Sequence, residues 1–208
     1  MKNIAVLVSG GGTNLQALID AQNRGEIKNG RITCVISSNP NAYALERARR
    51  NNIDTAVIRR KDYSDFEDYD NALTELIKSK NADAVVLAGF MTILGKTVIN
   101  TFENRIINIH PSLIPSFCGE GFYGLHVHEA ALARGVKVTG ATAHFVNEVC
   151  DGGPIIIQKA VEIQNGDTPE ILQKRVMEQA EWKILPKAVS LFCDEKIKVI
   201  GNRTEILN

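Results

Sequence analysis

Short apolar runs alternate along the chain with segments in which apolar residues recur at helical spacing. The runs are rich in β-branched residues, which indicates buried strands, and they lie at residues 4–8, 32–36, 55–58, 83–88 and 105–109. Between them, apolar residues recur every three or four positions and predict amphipathic helices; examples are Leu15, Leu18 and Ile19, and then Phe66, Tyr69, Leu73 and Leu76. This alternation favours a single α/β domain with an open, twisted, mostly parallel sheet and helices on both faces, of the Rossmann-like class.

Polar residues at the starts of three predicted helices fit known capping patterns. Thr13-x-x-Gln16 and Ser64-x-x-Glu67 have the spacing of a capping box. Asn39-Pro40 fits an N-cap followed by proline at the first helical position, which would open a helix running to Arg50.

The pattern changes after residue 109. A long loop at 111–125 carries three glycines, two prolines and three aromatic residues, and loops of this length often cover binding sites. We then expect a short helix at 126–134, strands at 136–146 and 154–163, a long helix from Thr168 that Pro186 should kink, and a short edge strand at 197–200.

Composition excludes several classes of protein. Lysine plus arginine equals aspartate plus glutamate, at 24 each, so a protein that binds the phosphate backbone of nucleic acids is not expected. The four cysteines are widely spaced without a C-x-x-C pair, which predicts reduced thiols, no disulfide framework and no metal site. No apolar run is long enough for a signal segment or a membrane span. We therefore expect a cytoplasmic protein without a membrane partner.

A glycine-rich loop, Ser9-Gly10-Gly11-Gly12-Thr13-Asn14, separates the first predicted strand from the first helix. Backbone N–H groups in such a loop can approach an anion closely, and the helix N-terminus adds a favourable dipole. The third glycine of a dinucleotide fingerprint is replaced by Leu15, and no acidic residue ends the second strand, so a single phosphate is the better fit. A tight turn with only a structural role is the competing interpretation.

Asn108, His110 and Asp151 form the candidate catalytic group. Asn108 and His110 are two residues apart at the carboxyl end of the fifth strand, so both side chains can face one pocket. Asp151 lies in a glycine-rich loop after a later strand and can reach the imidazole if that loop folds over the same edge. An amide donor for an oxyanion, a proton-exchanging imidazole and an orienting carboxylate together suit acyl transfer to an amine.

Several motifs make the chain resemble the phosphoribosylglycinamide formyltransferases, which are folate-dependent enzymes. The resemblance covers essentially the whole chain and rests on residues 9–16, 87–91, 108–115, 144–146 and 151–154. It implies transfer of the formyl group of 10-formyltetrahydrofolate to the amine of glycinamide ribonucleotide in purine biosynthesis, with Asn108, His110 and Asp151 as catalytic residues and no metal. It also implies a phosphate-binding half at about 1–100, a folate-binding and catalytic half at about 101–208, and a monomer or weak homodimer.

The same resemblance assigns two sets of binding residues. Contacts to the amine substrate are implied for Gly11, Gly12, Thr13, Asn14, Gly89, Met91, Pro111 and, at the ribose, Glu181. Contacts to the folate are implied for Leu87, Met91, Thr92, Ile93, Leu94, Val98, Asn108, His144, Asn147, Val149, Cys150 and Asp151. Two features depart from the family: Thr92 stands where arginine is frequent, and the 117–124 segment is longer than in many members.

Other functions stay open at this point. A related formyltransferase could act on another amine, such as a methionyl-tRNA or a sugar nucleotide, and a 10-formyltetrahydrofolate hydrolase would use water in place of the amine. A non-catalytic nucleotide-binding module of the same fold is a third candidate. That module would not need Asn108, His110 and Asp151 to converge, so their separation in the folded chain distinguishes it from an enzyme.

Overall fold

The computed structural model describes residues 1–207 and shows one seven-stranded sheet with helices on both faces. The strands are β1 (Lys2–Val8), β2 (Gly30–Ser37), β3 (Asp54–Val57), β4 (Ala84–Leu87), β5 (Ile106–His110), β6 (Val138–Phe145) and β7 (Ile155–Glu162). They lie in the order β3-β2-β1-β4-β5-β6-β7, with parallel pairing from β3 through β5 and antiparallel pairing of β6 and β7. The mostly parallel sheet predicted from the alternating pattern is confirmed.

Residues of the central strands alternate between two hydrophobic cores. In β1, Ile4, Val6 and Val8 belong to the larger core, whereas Ala5 and Leu7 belong to the smaller one on the opposite face. Both faces of a parallel sheet are covered by helices, so its central strands are apolar at every position instead of at every second one. This explains why these strands are continuous apolar runs in the sequence.

The described residues form seven α-helices on the two faces: α1 (Thr13–Asn23), α2 (Tyr43–Arg50), α3 (Phe66–Ser79), α4 (Lys96–Thr101), α5 (Leu125–Arg134), α6 (Pro169–Val176) and α7 (Trp182–Cys193). The helix α4 was not predicted, because it is only six residues long and has no capping side chain of its own. The buried carboxylate of Asp70, in α3, caps it instead by accepting from the N–H groups of Gly95 and Thr97, both over 2.8 Å.

The predicted helix starts were wrong at three positions. Gly12, in the left-handed region, is the N-cap of α1, so Thr13 and Gln16 form no capping box. Asn39 Oδ1 accepts from the N–H of Asn41 over 3.0 Å in a local turn, and α2 begins only at Tyr43. Neighbouring polar residues compete for the capping position, and Asp65, not Ser64, caps α3.

The C-terminal region differs from prediction in two ways. Regular α-helix is interrupted by a π-helical turn at Met177–Glu181, before Pro186, which itself lies inside α7. Strand β8 (Ile197–Ile200) does not extend the main sheet but pairs with β9 (Arg203–Ile206) in a separate hairpin. Within residues 1–207, no helix combines the length and the apolar character that crossing a bilayer requires.

Candidate active site

Many of the predicted site residues lie at or just beyond the carboxyl ends of β1, β4 and β5. The chain proceeds outward from β1 through β2 to β3 on one side, and from β4 to β5 on the other. Such a change of direction leaves a crevice beyond the strand ends, where ligands bind in open α/β sheets. The loops after β1 and β4 are joined there, because the N–H of Ser9 donates to Gly89 O over 3.0 Å and the N–H of Met91 to Ser9 Oγ over 2.9 Å.

Asn108, His110 and Asp151 lie side by side in this crevice. Asn108 Nδ2 is 3.5 Å from Asp151 Oδ1, and His110 Nδ1 is 3.5 Å from Asp151 Oδ2. The side chain of His110 is almost fully buried, and that of Asp151 is nearly so. The loop that carries Asp151 therefore does fold over the end of β5, as the geometric condition for an acyl-transfer site required.

His144 orients Asn108 from the neighbouring strand. The two residues are direct partners in the pairing of β5 with β6. His144 Nδ1 lies 2.7 Å from the carbonyl of Phe145 and donates to it. In the neutral ring, Nε2 then accepts from Asn108 Nδ2 over 3.1 Å, and in the protonated ring it faces Asp151 Oδ1 at 3.7 Å. Both amide protons of Asn108 are thus directed, one at His144 and one, over a longer distance, at Asp151. A substrate oxygen could replace Asp151 as the acceptor in the longer of these contacts, at 3.5 Å.

Electrostatics give Asp151 and His110 different protonation states. Burial lowers the pKa of His110, and the charge of Asp151 and the carbonyl of Phe117 oppose this without cancelling it. Burial acts to raise the pKa of Asp151, but His144, His110 and the N–H of Gly119 together hold it below its ordinary value. His110 Nε2 donates to Phe117 O over 2.8 Å, so in the neutral ring Nδ1 is the free acceptor beside Asp151. Proton uptake at Nδ1 then creates an ion pair with that carboxylate.

Close backbone packing shapes the loop that carries Asp151. Asp151 itself has φ 53°, a left-handed conformation that is uncommon outside glycine and often marks functional sites. A Cβ on Gly153 would lie 1.9 Å from the carbonyl oxygen of Phe145, so only glycine fits there. Asn147 closes the loop, with its Oδ1 accepting from the N–H of Val149 over 3.0 Å. The glycines thus bring the carboxylate against β5 instead of only making a turn.

The glycine-rich loop joins the crevice to a second buried carboxyl group. Asn14, in the first turn of α1, donates from Nδ2 to Glu181 Oε2 over 2.6 Å, although the two residues are 167 positions apart. Glu181 is buried, and burial raises its pKa to about 7. It lies in the π-helical turn, a distortion that is frequent at functional sites. The predicted phosphate and ribose contacts are therefore next to each other.

Comparison with known proteins identifies the family of this chain. The sequence profile of the formyl transferase family matches residues 2–189. The chain belongs to the formyl transferase family. It is 41% identical over 202 residues to the phosphoribosylglycinamide formyltransferase of Haemophilus influenzae, an alignment that covers 97% of this chain and 92% of that protein.

Two solved structures that resemble this chain bear on the choice between activities. The glycinamide ribonucleotide transformylase 1 of Symbiobacterium toebii is 43% identical, with a TM-score of 0.94 over 100% of this chain and 95% of the other. A formyltetrahydrofolate deformylase of Pseudomonas syringae pv. tomato superposes with a TM-score of 0.89, but it is only 28% identical and the match covers 66% of its length. This chain is thus more similar to the transformylase than to the deformylase in both sequence and structure.

The folate wall expected of a formyl transferase divides into a buried and an exposed part. Leu87, Leu94 and Val98 belong to the smaller hydrophobic core, and Val98 has no exposed surface. Met91 and Ile93 are exposed by 55% and 72%, which is unusual for large apolar side chains and leaves them available to a ligand. Val149 and Cys150 are also exposed, whereas Thr92 is half-buried beside a cavity that Arg59, Arg60 and Lys61 line. The binding role of this whole set stays a prediction.

Sequence reasoning missed the backbone groups that complete the site. The carbonyl of Phe117 and the N–H of Gly119 hold His110 and Asp151, the latter over 2.9 Å. Main-chain groups have no residue signature, and the only signal was the glycine-rich composition of the 111–125 loop. Partial desolvation of the sulfur atoms and the nearby charge of Asp151 raise the pKa of both neighbouring thiols, Cys118 and Cys150, so neither is an activated thiolate. Among residues 1–207, no group of three or more His, Cys, Asp or Glu side chains could hold a metal ion.

Proposed function

We propose that this chain transfers the formyl group of 10-formyltetrahydrofolate to the amine of glycinamide ribonucleotide, a step of purine biosynthesis. The observation that carries the proposal is the convergence of Asn108, His110 and Asp151 beside the glycine-rich loop. Relatives that match nearly the whole chain are phosphoribosylglycinamide formyltransferases, which supports the same acceptor. Location in the cytoplasm, and a monomer or weak homodimer without nucleic-acid partners, stay predictions.

The reaction needs an oxyanion donor and a proton carrier, and the crevice offers both. Attack of the amine on the formyl carbon forms a C–N bond and a tetrahedral oxyanion, to which Asn108 Nδ2 donates in place of its 3.5 Å contact with Asp151. His110 takes the proton that the amine loses, with Asp151 stabilising the imidazolium. The adduct collapses by breaking the bond to N10 of the folate, and His110 returns the proton to that nitrogen. One preorganised oxyanion donor is worth about 10²- to 10³-fold in rate.

The two substrates are assigned to opposite sides of this group. The loop residues Gly11, Gly12 and Thr13 would hold the phosphate, with Glu181 at the ribose and Gly89 and Pro111 near the amine. Exposed Met91, Ile93 and Val149 would contact the folate. The proposed phosphate-binding and folate-binding halves would share one sheet, because β4 and β5, on either side of residue 100, are paired neighbours.

The release of tetrahydrofolate tests this proposal directly. Purified protein is mixed with 10-formyltetrahydrofolate, with and without glycinamide ribonucleotide, and His110→Ala serves as the inactive control. Release that requires the nucleotide, accompanied by formylated product, supports the transferase. Release without the nucleotide would instead indicate the hydrolase, the activity of the deformylase that shares this fold. Folate binding without release under either condition would contradict both activities and point to another amine or to a binding role.

A further inference from the structure

The glycine-rich loop rests directly on the first turns of α2. The N–H of Ala44 donates to Gly10 O over 3.1 Å, and Arg47 Nε donates to Gly11 O over 2.8 Å. A Cβ on Gly12 would lie 2.6 Å from the Cβ of Ala44, so the absence of a side chain is what permits this approach. Two successive carbonyl groups of the loop are therefore held against α2.

These two bonds determine where the following N–H groups point. In a trans peptide the C=O of one residue and the N–H of the next point in opposite directions. With the Gly10 and Gly11 carbonyls directed at α2, the N–H groups of Gly11 and Gly12 must point away from it. Within residues 1–207, neither N–H has a hydrogen-bond acceptor, and a Cβ added to Gly10 or Gly11 would meet no atom within 4 Å. The contacts with α2 therefore present two free donors at the N-terminus of α1.

Among residues 1–207, no carboxylate forms an ion pair with the positive charge of Arg47. Its Nη1 donates to Gln16 Oε1 over 3.1 Å, and its guanidinium lies 5.0 Å from the centre of the Tyr43 ring. Its acceptors in the described part of the chain are thus a carbonyl and an amide oxygen, whereas its helix neighbour Arg50 pairs with Glu46. In a protein of zero net charge, an unneutralised cation behind a row of N–H donors favours an anion locally.

We propose that Arg47 is a positioning residue for the phosphate of the amine substrate. It acts through Gly11, whose carbonyl it holds so that the Gly12 N–H faces the phosphate, and it contributes its charge from behind the loop. This inference rests on the proposed function, since it assigns a role within the substrate site.

Lysine at position 47 separates geometry from charge. It keeps the positive charge but has no planar fork that can donate to Gly11 O and Gln16 Oε1 at the same time. Methionine removes both. Arg49→Lys and Arg49→Met are the matched controls, because Arg49 lies on the same helix, is exposed, and is outside the substrate and folate sets.

The measurement is a comparison of KM and kcat for glycinamide ribonucleotide and for the corresponding nucleoside, which lacks the phosphate. Both Arg47 variants should raise KM for the nucleotide by about 10-fold or more, the size expected for one charge-assisted contact. The inhibition constant of inorganic phosphate should rise by the same factor. In the Arg47 variants, KM for the nucleoside, KM for the folate and kcat should stay within about twofold of wild type. The Arg49 controls should stay within the same range for every constant.

Three results would overturn the inference. Wild-type KM in Arg47→Lys would reduce the role to charge alone, and wild-type KM in Arg47→Met would remove any role. Equal losses with nucleotide and nucleoside would indicate general disruption of the fold. If the wild-type chain does not formylate glycinamide ribonucleotide, the proposed function itself fails. In that case, calorimetric titration of wild type and of Arg47→Met with inorganic phosphate still decides the role of Arg47.

Discussion

Glu181→Gln tests, through protein stability, how the candidate site holds a buried carboxyl group. Glu181 is 6% exposed, and its hydrogen-bond donor is Asn14 Nδ2, at 2.6 Å. Burial raises its pKa from 4.5 to about 7, and the bond from Asn14 opposes that rise. Glutamine has nearly the same shape, keeps an oxygen that can accept from Asn14, and carries no charge at any pH.

The sign of the pH effect follows from the direction of the shift. The pKa of Glu181 is higher in the folded chain than in the unfolded chain, so the folded state binds more protons between the two values. Its contribution to stability is therefore fully present below about pH 4.5 and is lost as the pH rises through 7. At 1.36 kcal/mol for each pKa unit, the full loss is about 3 kcal/mol. Glutamine removes this loss, so the variant should be more stable than wild type in mildly alkaline solution.

Urea unfolding between about pH 5 and pH 8.5 measures this difference. The free energy of unfolding of Glu181→Gln, relative to wild type, should increase by roughly 2 to 3 kcal/mol over that range. Glu178→Gln, an exposed glutamate in the same π-helical turn, should show no such increase. Parallel stability curves for wild type and Glu181→Gln would refute the reasoning, because they would mean that the buried carboxyl group titrates as it does in the unfolded chain.

Three further substitutions test other parts of the site. His110→Ala should lower kcat by about 10²- to 10⁴-fold with little change in folate affinity, measured by steady-state kinetics and fluorescence titration; near-normal turnover would remove His110 from the mechanism. Asp70→Ala should lower the free energy of unfolding by about 2 to 3 kcal/mol, because two N–H groups at the start of α4 lose their acceptor; an unchanged urea midpoint would contradict this. Gly12→Ala should lower the free energy of unfolding by about 1 to 3 kcal/mol, because position 12 has φ 74° and the new Cβ would press on Ala44. Gly10→Ala, which has open space, is the matched control, and equal losses would contradict the packing argument.

The helix starts show where local patterns stop being decisive. Around the start of α3, Ser64 and Asp65 are both good caps, and only the packed position of the helix selects Asp65. The start of α4 has no local signal, because its cap is Asp70 on another helix. A capping preference of about 1 kcal/mol is smaller than the packing energy of a buried apolar face, so tertiary contacts override it.

The sequence by itself determined the order of the strands and helices apart from α4 and β9, the mostly parallel sheet and the strand end that carries Asn108 and His110. These features follow from residue spacing and apolar runs, which are local properties of the chain. Only the tertiary structure decided that Asp151 reaches His110, that Asn14 bonds Glu181, and that Arg47 holds the glycine-rich loop. Each of these contacts joins residues far apart in sequence, and its formation depends on how the helices and loops pack around the sheet. No local pattern records that packing, so the chemistry could be anticipated by residue type while its geometry required the fold.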